Sequence, residues 1–395
     1  MPRFEPFPAL RYRDADLDAV IAPPYDVLSE ADVDALEARS PHNIVHVDVP
    51  RERDGDDRYR MAGDLLRRWV ADGVMERDDR SSFTLYRMSF VDVVGRPRSI
   101  VGVLGGVEVE EYGVGGVLPH ERITPKASTD RLDLTRATVA NMSPVWGLSL
   151  AAGLTDLLQE PGELMGELVV DGVTHRVERV TDADRIAAIS SAVSSDDVLI
   201  ADGHHRYGVA QTYRTETRER TGRTDTPAED TLMFVSELVA DQLSVEAIHR
   251  VYRGISGDDL LAALDAVFDT TSSGPVTNET LAEMDARGSL CLVWPDGNGR
   301  WLTPKPGAFP GVRSLDGVWL EHVLDSTSAD VGYQHGISEL HELLASDPSI
   351  TAAVLIRPVS VAEIERTARE GVVMPPKSTF FTPKLRTGLV VRPLD

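Results

Sequence analysis

The stretch that most constrains this chain is residues 198–210, where a short apolar run leads directly into a dense group of polar side chains. Four apolar residues in a row, 198–201, are typical of a short buried strand. Asp202 and Gly203 then form a turn signal. The polar, helix-compatible sequence from His204 onward predicts a helix, so the polar group falls at the junction of a strand and a helix.

Basic groups open the predicted helix, which is the end where positive charge is unfavourable. His204, His205 and Arg206 oppose the helix dipole, which favours negative charge there by roughly 0.3–1 kcal/mol. A bound anion removes that conflict, because free N–H groups after Gly203, the dipole, two imidazoles and a guanidinium together form a phosphate or carboxylate pocket. Asp202 has two candidate roles: holding a histidine tautomer or binding Mg²⁺. The alternative is an ordinary helix start with histidines facing water.

A second dense polar stretch covers residues 118–138, with a helix predicted to begin near Ser128. An acid, a histidine and several cations within a dozen residues can supply a general base, a phosphate clamp and a metal contact. The alternative is a solvated loop before a capped helix. The residues that carry this hypothesis are His120, Glu121, Arg122, Lys126, Asp130 and Arg131.

Lysine is scarce: of 40 basic residues only four are lysines. In a chain that nearly always uses arginine, a retained lysine indicates a need for a compact ammonium rather than a planar guanidinium. Lys126, Lys377 and Lys384 are the candidate site residues; each follows a proline, as Lys305 does. We expect Lys126 and Lys377 to border one cleft with Arg206. Lys305 lies beside a predicted hairpin and is interpreted as incidental.

Two further groups of polar residues are candidates for phosphate binding. Ser378 and Thr379 follow Lys377 in a near-terminal loop, although Pro376 before the lysine excludes a P-loop, which needs glycine there. His249 and Arg250 lie in a predicted strand and are candidates for the same sheet edge as Asp202. For this pair the alternative is an exposed strand end.

Composition limits the class of protein. The net charge of −24 argues against a nucleic-acid partner, because phosphate neutralisation needs clustered cations. No apolar segment approaches the length of a membrane span, the N-terminus has no signal-peptide core, and the single cysteine, Cys291, excludes an intramolecular disulfide. We therefore expect a cytoplasmic protein without a membrane partner, and the dispersed acidity suggests a high-salt cytoplasm. The oligomeric state stays open, with a homo-oligomer among the expectations.

The pattern of helices and strands predicts a mixed α+β fold in two domains. We expect a main domain over residues 1–253, which carries the Asp-Gly-His-His-Arg element, and a smaller α/β domain over 254–395 whose C-terminal loop returns to the site. Residues 56–72 form a clear amphipathic helix. Ser29 and Thr181 are predicted helix caps.

The motifs taken together resemble a known family. Ala22-Pro-Pro-Tyr-Asp, His120-Glu-Arg, Thr124-Pro-Lys, Asp130-Arg131, Ala201-Asp-Gly-His-His-Arg and Met374-Pro-Pro-Lys-Ser-Thr-Phe-Phe-Thr-Pro-Lys are similar to those of the family named domain of unknown function 1015. The Asp-Gly-His-His-Arg element also resembles one in ParB-like folds, which include a free-serine kinase, the partition protein ParB and sulfiredoxin. This second resemblance implies a ParB-like nucleotide-binding core. His204 stands where sulfiredoxin has its reactive cysteine, which argues against thiol chemistry, and no basic helix-turn-helix is evident.

These observations lead to a small-molecule phosphotransferase that uses a nucleotide or pyrophosphate with Mg²⁺, with serine or a similar acceptor as the substrate that the resemblance implies. Glu121 or His204 would take the hydroxyl proton, with His120 beside them, and Asp202 with Glu121 would hold the metal. Lys126, Lys377 or Arg131 would neutralise the transferring oxygens. Two alternatives remain: a phosphomonoester hydrolase at the same site, and a nucleotide-responsive regulatory protein without turnover.

Overall fold

The computed structural model describes residues 1–93, 95–111, 114–121 and 128–395, apart from the side chain of Ser128. Helices and antiparallel and parallel strands alternate along this part of the chain, which confirms the predicted mixed α+β class. The chain divides into two compact units: the first comprises Met1–Ser244, Ala368–Val372 and Pro383–Asp395, and the second comprises Val245–Thr367 and Val373–Thr382.

Strands and helices are numbered separately in chain order. The strands are Phe4–Glu5 (β1), Leu10–Tyr12 (β2), Met75–Arg77 (β3), Phe83–Val91 (β4), Pro97–Glu108 (β5), Val117–Pro119 (β6), Ala140–Asn141 (β7), Val145–Ser149 (β8), Glu163–Val170 (β9), Val173–Val180 (β10), Val198–Asp202 (β11), Asp230–Glu237 (β12), Ser244–Glu246 (β13), His249–Arg253 (β14), Phe268–Pro275 (β15), Leu290–Val293 (β16), Asn298–Pro304 (β17), Asp330–Gln334 (β18), Ile350–Leu355 (β19), Phe380–Thr382 (β20) and Arg392–Pro393 (β21). The helices are Leu17–Val20 (α1), Glu30–Arg39 (α2), Val45–Asp48 (α3), Arg58–Ala71 (α4), Ser128–Thr138 (α5), Leu154–Gln159 (α6), Ala183–Val193 (α7), His204–Thr221 (α8), Gly257–Asp265 (α9), Asn278–Arg287 (α10), Asp316–Leu324 (α11), Ile337–Ser346 (α12) and Val361–Arg369 (α13). Short 3₁₀ turns cover Tyr25–Val27, Glu52–Asp57 and Pro227–Glu229.

A nine-stranded mixed sheet forms the centre of the first unit. Its order is β6-β11-β8-β12-β5-β4-β10-β9, with β1 paired to β5. Strand β11 runs parallel to β6 and antiparallel to β8, so the strand that leads to the polar turn has a partner on each side. Gly105 permits close packing on β5, because a Cβ there would come within 2.4 Å of the Phe4 ring and 2.7 Å of the Phe83 ring.

Helix α4 confirms the amphipathic helix predicted over residues 56–72. Ala62, Leu66 and Trp69 are buried and contribute to a hydrophobic core with residues of α2, α3 and α5. Gly73 lies just beyond the helix with φ of +74°, a conformation that glycine adopts without steric cost. The apolar face of α4 therefore packs against helices α2, α3 and α5.

Two predicted helix caps have different outcomes. Ser29 accepts a hydrogen bond from the Asp32 amide, and the Asp32 carboxylate accepts one from the Ser29 amide, which confirms the predicted capping box. Thr181 is not the cap of α7, because the helix begins at Ala183 and the Asp182 side chain accepts from the Arg185 amide. Two adjacent residues of capping type left the register ambiguous in the sequence.

Substitution of Asp182 should therefore destabilise the protein more than substitution of Thr181. We expect Asp182→Ala to lower the free energy of unfolding by about 1 kcal/mol, because an N-cap side chain satisfies an otherwise unpaired helix amide. Urea unfolding of Asp182→Ala and Thr181→Ala measures the difference. A larger loss for Thr181→Ala would contradict this assignment of the cap.

The second unit contains a six-stranded antiparallel sheet in the order β15-β17-β16-β19-β14-β18. Cys291 on β16 is fully buried, and burial raises its thiol pKa to about 11, as expected for a core thiol. Strand β14 lies between β19 and β18. Within the described residues, no helix is both long enough and apolar enough to cross a membrane.

Candidate functional site

The polar turn lies where the sequence places it, between a buried strand and a long helix. Strand β11 ends at Asp202, Gly203 adopts the left-handed conformation with φ of +89°, and α8 begins at His204 without a side-chain cap. A Cβ at Gly203 would come within 2.9 Å of the Arg206 guanidinium. Glycine is thus required both by the backbone angle and by the close approach of Arg206.

Asp202 holds two cations, one on each carboxylate oxygen. Lys384 Nζ lies 2.9 Å from Oδ1, and an Arg206 guanidinium nitrogen lies 2.6 Å from Oδ2. Arg206 also donates to the Pro144 carbonyl. Burial alone would raise the pKa of Asp202, but Lys384 and Arg206 outweigh it and hold the pKa well below the ordinary carboxyl value. Asp202 is therefore ionised at every physiological pH.

The neighbouring histidines are buried and close to each other. The rings of His204 and His120 have centroids 4.8 Å apart. Burial, followed by the His120 ring, lowers the pKa of His204 well below its ordinary value, so this imidazole is neutral at pH 7. His120 Nδ1 lies 2.5 Å from the Ile200 carbonyl, and its Nε2 lies 3.9 Å from a Glu121 carboxylate oxygen. The carbonyl fixes the tautomer in which Nδ1 carries the proton.

Arg131 forms a second buried cluster in the first unit. Its guanidinium donates to the backbone carbonyl of Asp48 at 2.7 Å and to the Asp48 carboxylate at 3.2 Å, and it pairs with Asp130 at 2.7 Å. It also lies over the Tyr25 ring, 4.1 Å from the centroid. The Tyr59 hydroxyl donates to Asp130. Arg131 is thereby fixed in orientation on every side.

Three further residues interact with the arginines of this region and were not predicted from the sequence as site residues. The charge of Asp26 acts on Arg206, the Tyr25 ring lies under the Arg131 guanidinium, and Asp48 acts on both Arg131 and Arg206. Tyr25 and Asp26 belong to the Ala22-Pro-Pro-Tyr-Asp motif, so the sequence already marked their segment as one of the family motifs. No sequence pattern marked Asp48, because an aspartate in a four-residue helix is normally exposed, and only the tertiary fold buries this one.

A small cavity lies beside both arginines. It has a volume of about 40 Å³ and is lined by Asp48, Arg131 and Arg206 together with residues 140–143. Such a volume holds a few water molecules but not a nucleotide. A ligand of nucleotide size therefore has to approach the start of α8 from outside this cavity.

The remaining predicted residues fall into two groups. Arg122 and Lys126 lie outside the described residues. Of the described residues, Lys384 belongs to the first unit and contacts Asp202, whereas the remaining candidates belong to the second unit. The second-unit residues are His249, Arg250, Lys377, Ser378 and Thr379.

In the second unit, the predictions for His249 and Arg250 need correction. Both residues are buried on β14, so they are neither an exposed strand end nor part of the sheet that contains β11. Burial lowers the pKa of His249 to about 3, and its Nδ1 accepts from the Ile356 amide at 3.3 Å. Arg250 donates to the carbonyls of Ile248 and Lys377. Ser378 donates to the Pro375 carbonyl, so this loop is built on its own backbone contacts.

The described residues do not fit the predicted Mg²⁺ site. Each Asp202 oxygen already accepts from a cation, and no three His, Cys, Asp or Glu side chains in the described part of the chain come together as metal ligands. Mg²⁺ prefers several oxygen ligands in octahedral geometry. No chemical step is therefore assigned to a protein-held metal.

The described cations of the Asp202 and Arg131 clusters all have carboxylate partners. Arg206 and Lys384 share one carboxylate, and Arg131 is paired with two, so the described cations are balanced in the unliganded chain. The sequence showed the cations but gave no means of pairing Asp202 with a lysine 182 positions away.

Several solved structures are similar to this chain at low identity. A conserved hypothetical protein from Pyrococcus furiosus is 12% identical with a TM-score of 0.37, and 68% of this chain covers 87% of that one. A free serine kinase in complex with AMP is 12% identical with a TM-score of 0.37, over 68% of this chain and 84% of that one. SbnI from Staphylococcus aureus, with a C-terminal truncation, is 14% identical with a TM-score of 0.40, over 73% and 87%.

Among curated proteins, none matches this chain. A family described as "Protein of unknown function (DUF1015)" matches residues 4–318, which includes all of the first-unit elements from β1 to β12 and most of the second-unit sheet. The match spans most of the chain and covers residues 22–26, 120–131 and 201–206, whereas residues 374–384 lie outside it. The chain therefore belongs to the DUF1015 family.

Proposed function

We propose that the first unit binds the phosphates of a nucleotide or pyrophosphate at the start of α8 and transfers a phosphoryl group to a small hydroxyl-bearing acceptor. The observation that carries this proposal is the convergence of Lys384 and Arg206 on Asp202 beside an uncapped N-terminus of an 18-residue helix. Phosphoryl transfer depends mainly on positioning and on stabilisation of the oxygens, which cations and helix amides supply.

The roles of the side chains follow from their charge states. His204 is neutral, so it adds no positive charge and can accept a hydrogen bond from an acceptor hydroxyl. Glu121, whose carboxylate lies 3.9 Å from His120 Nε2, would take the hydroxyl proton. Lys384 and Arg206 stabilise the transferring oxygens by sharing their charge between Asp202 and the phosphate. Serine or a similar hydroxy or amino acid is the proposed acceptor class.

A second candidate is a nucleotide-responsive regulatory protein without turnover. It is supported by the complete pairing of Arg206 and Lys384 with Asp202, because a phosphate that competes for these cations would rearrange the turn. A hydrolase at the same site differs from the phosphotransferase only in using water as the acceptor.

Ligand-dependent melting and ³¹P NMR distinguish these candidates. We expect ATP, ADP or pyrophosphate, with Mg²⁺ in solution, to raise the melting temperature, since binding at 100 times Kd adds about 2.7 kcal/mol to stability. Phosphorylated serine supports the phosphotransferase, acceptor-independent phosphate release supports the hydrolase, and binding without turnover supports the regulator. No stabilisation by any of the three would overturn the proposal.

The lysine contribution has a matched control. Lys384→Arg keeps the charge but replaces an ammonium 2.9 Å from Asp202 by a planar group, so we expect at least a tenfold loss of ligand affinity or turnover. Lys305 is half-buried in the second unit and donates to the Asp265 carbonyl, so Lys305→Arg should behave like the wild type. Equal behaviour of the two variants would remove Lys384 from the site.

A further inference from the structure

A groove in the first unit lies beside helix α4 and is separate from the turn at Asp202. It has a volume of about 490 Å³, within the range of roughly 300–1,000 Å³ that is usual for small-molecule sites. Its lining residues include segments 49–54 and 58–68, and all of them belong to the first unit. The arginines that line it are Arg51, Arg53, Arg58, Arg60 and Arg68.

The side chains that line this groove carry a net positive charge, although the whole chain is strongly negative. The whole protein carries −24, whereas the groove has five arginines against Glu37, Asp54 and Asp64. Glu37 pairs with Arg51 and Arg53, Asp34 also pairs with Arg51, and both Asp57 and Asp64 pair with Arg60. Arg58 donates a hydrogen bond to the neutral Tyr59 hydroxyl. Among the described residues, Arg58 and Arg68 have no carboxylate within ion-pairing distance, which leaves a positive excess at these two positions.

These two arginines bound an apolar stripe on α4. Arg58, Met61, Leu65 and Arg68 recur at intervals of three and four residues, so they share one face of the helix. Met61 is 47% exposed, so its side chain is accessible to an apolar ligand in the groove. Arg58 is also the first residue of α4, where the helix dipole favours an anion.

We infer that the groove binds an elongated small molecule that is apolar in the middle and anionic at both ends. Arg58 and Arg68 are ten residues apart in α4, which places them roughly 15 Å apart along the helix axis. A compact anion therefore contacts only one of them. A molecule that contacts both has to lie along Met61 and Leu65, where an apolar body displaces water favourably.

Dodecanedioate, a twelve-carbon chain with a carboxylate at each end, is a suitable probe, with dodecanoate and succinate for comparison. Isothermal titration should give at least fivefold tighter binding of dodecanedioate than of dodecanoate, and no binding of succinate at the same concentrations. Arg58→Gln and Arg68→Gln should each reduce the affinity for dodecanedioate to that for dodecanoate. Met61→Gln should weaken both long-chain acids.

Arg220→Gln, at an exposed arginine near the end of α8, is the matched control and should bind dodecanedioate like the wild type. Equal affinity of the wild type for dodecanedioate and dodecanoate would overturn the inference. Retention of full affinity in both Arg58→Gln and Arg68→Gln would do so as well. The outcome is independent of the phosphate site, because none of the substituted residues contacts Asp202, Arg206 or Lys384.

Discussion

Replacement of Asp202 by asparagine is expected to lower the free energy of unfolding by about 3–5 kcal/mol, because it leaves two buried cations without their shared carboxylate. Asparagine keeps the shape of the side chain, so the loss reports charge rather than packing. Lys384 and Arg206 are both mostly buried and lose their ion-pair partner together. Chemical unfolding at pH 7 measures the effect.

The pH dependence of this loss follows from the lowered pKa of Asp202. A carboxyl with a lowered folded-state pKa stabilises the protein above its unfolded pKa, and this stabilisation is lost only as the pH falls through the folded value. The deficit of Asp202→Asn should therefore stay constant between about pH 8 and 5. Asp225, in an exposed pair with Arg223, is the control, and Asp225→Asn should be indistinguishable from the wild type. An equally small effect at Asp202 would show that the turn does not depend on this charge.

Replacement of Arg131 by methionine is expected to have an effect of similar size, about 3–5 kcal/mol, because it leaves the Asp48 carboxylate buried without its cation. Arg136→Met on the same helix is the control, since that arginine is half-exposed in pairs with Asp133 and Glu216. The double variant Asp48→Asn, Arg131→Met should recover most of the loss, because neither charge then remains.

The pH dependence of Arg131→Met has the opposite form to that of Asp202→Asn. Burial raises the pKa of Asp48 above its ordinary value even against the opposing charge of Arg131. Without Arg131 that pKa rises further, so ionisation costs stability as the pH rises through the unfolded value. The deficit relative to wild type should therefore shrink as the pH falls from 7 towards about 4. A deficit that does not change with pH would contradict the burial of an ionised Asp48.

The local features of the site could be predicted from the sequence because their signals are local. An apolar run, an Asp-Gly turn and a basic helix start are adjacent in the chain, and the structure has them as β11, Gly203 and α8. The capping box at Ser29 and the buried apolar face of α4 depend on spacings of three and four residues, so they could also be predicted from the sequence.

The partners of the charged residues could not be predicted, because they depend on contacts between distant segments. Asp202 meets Lys384, and Arg131 meets Asp48, across 182 and 83 positions. The scarcity of lysine marked Lys384 as unusual but not as a partner of Asp202. His249 and Arg250 were assigned to the wrong sheet for the same reason, since a strand's sheet is fixed by its neighbours in space.

The chain leaves the first unit after Ser244 and contributes to it again only through Ala368–Val372 and Pro383–Asp395, and this order has a consequence for biosynthesis. The C-terminal segment supplies Lys384 to Asp202, β21 to β7 and the Val391 carbonyl to the Leu10 amide. A nascent chain that has emerged only to residue 244 therefore lacks one edge of its first unit. The first unit can complete folding only after residues 383–395 have left the ribosome, whereas most of the second unit emerges before them.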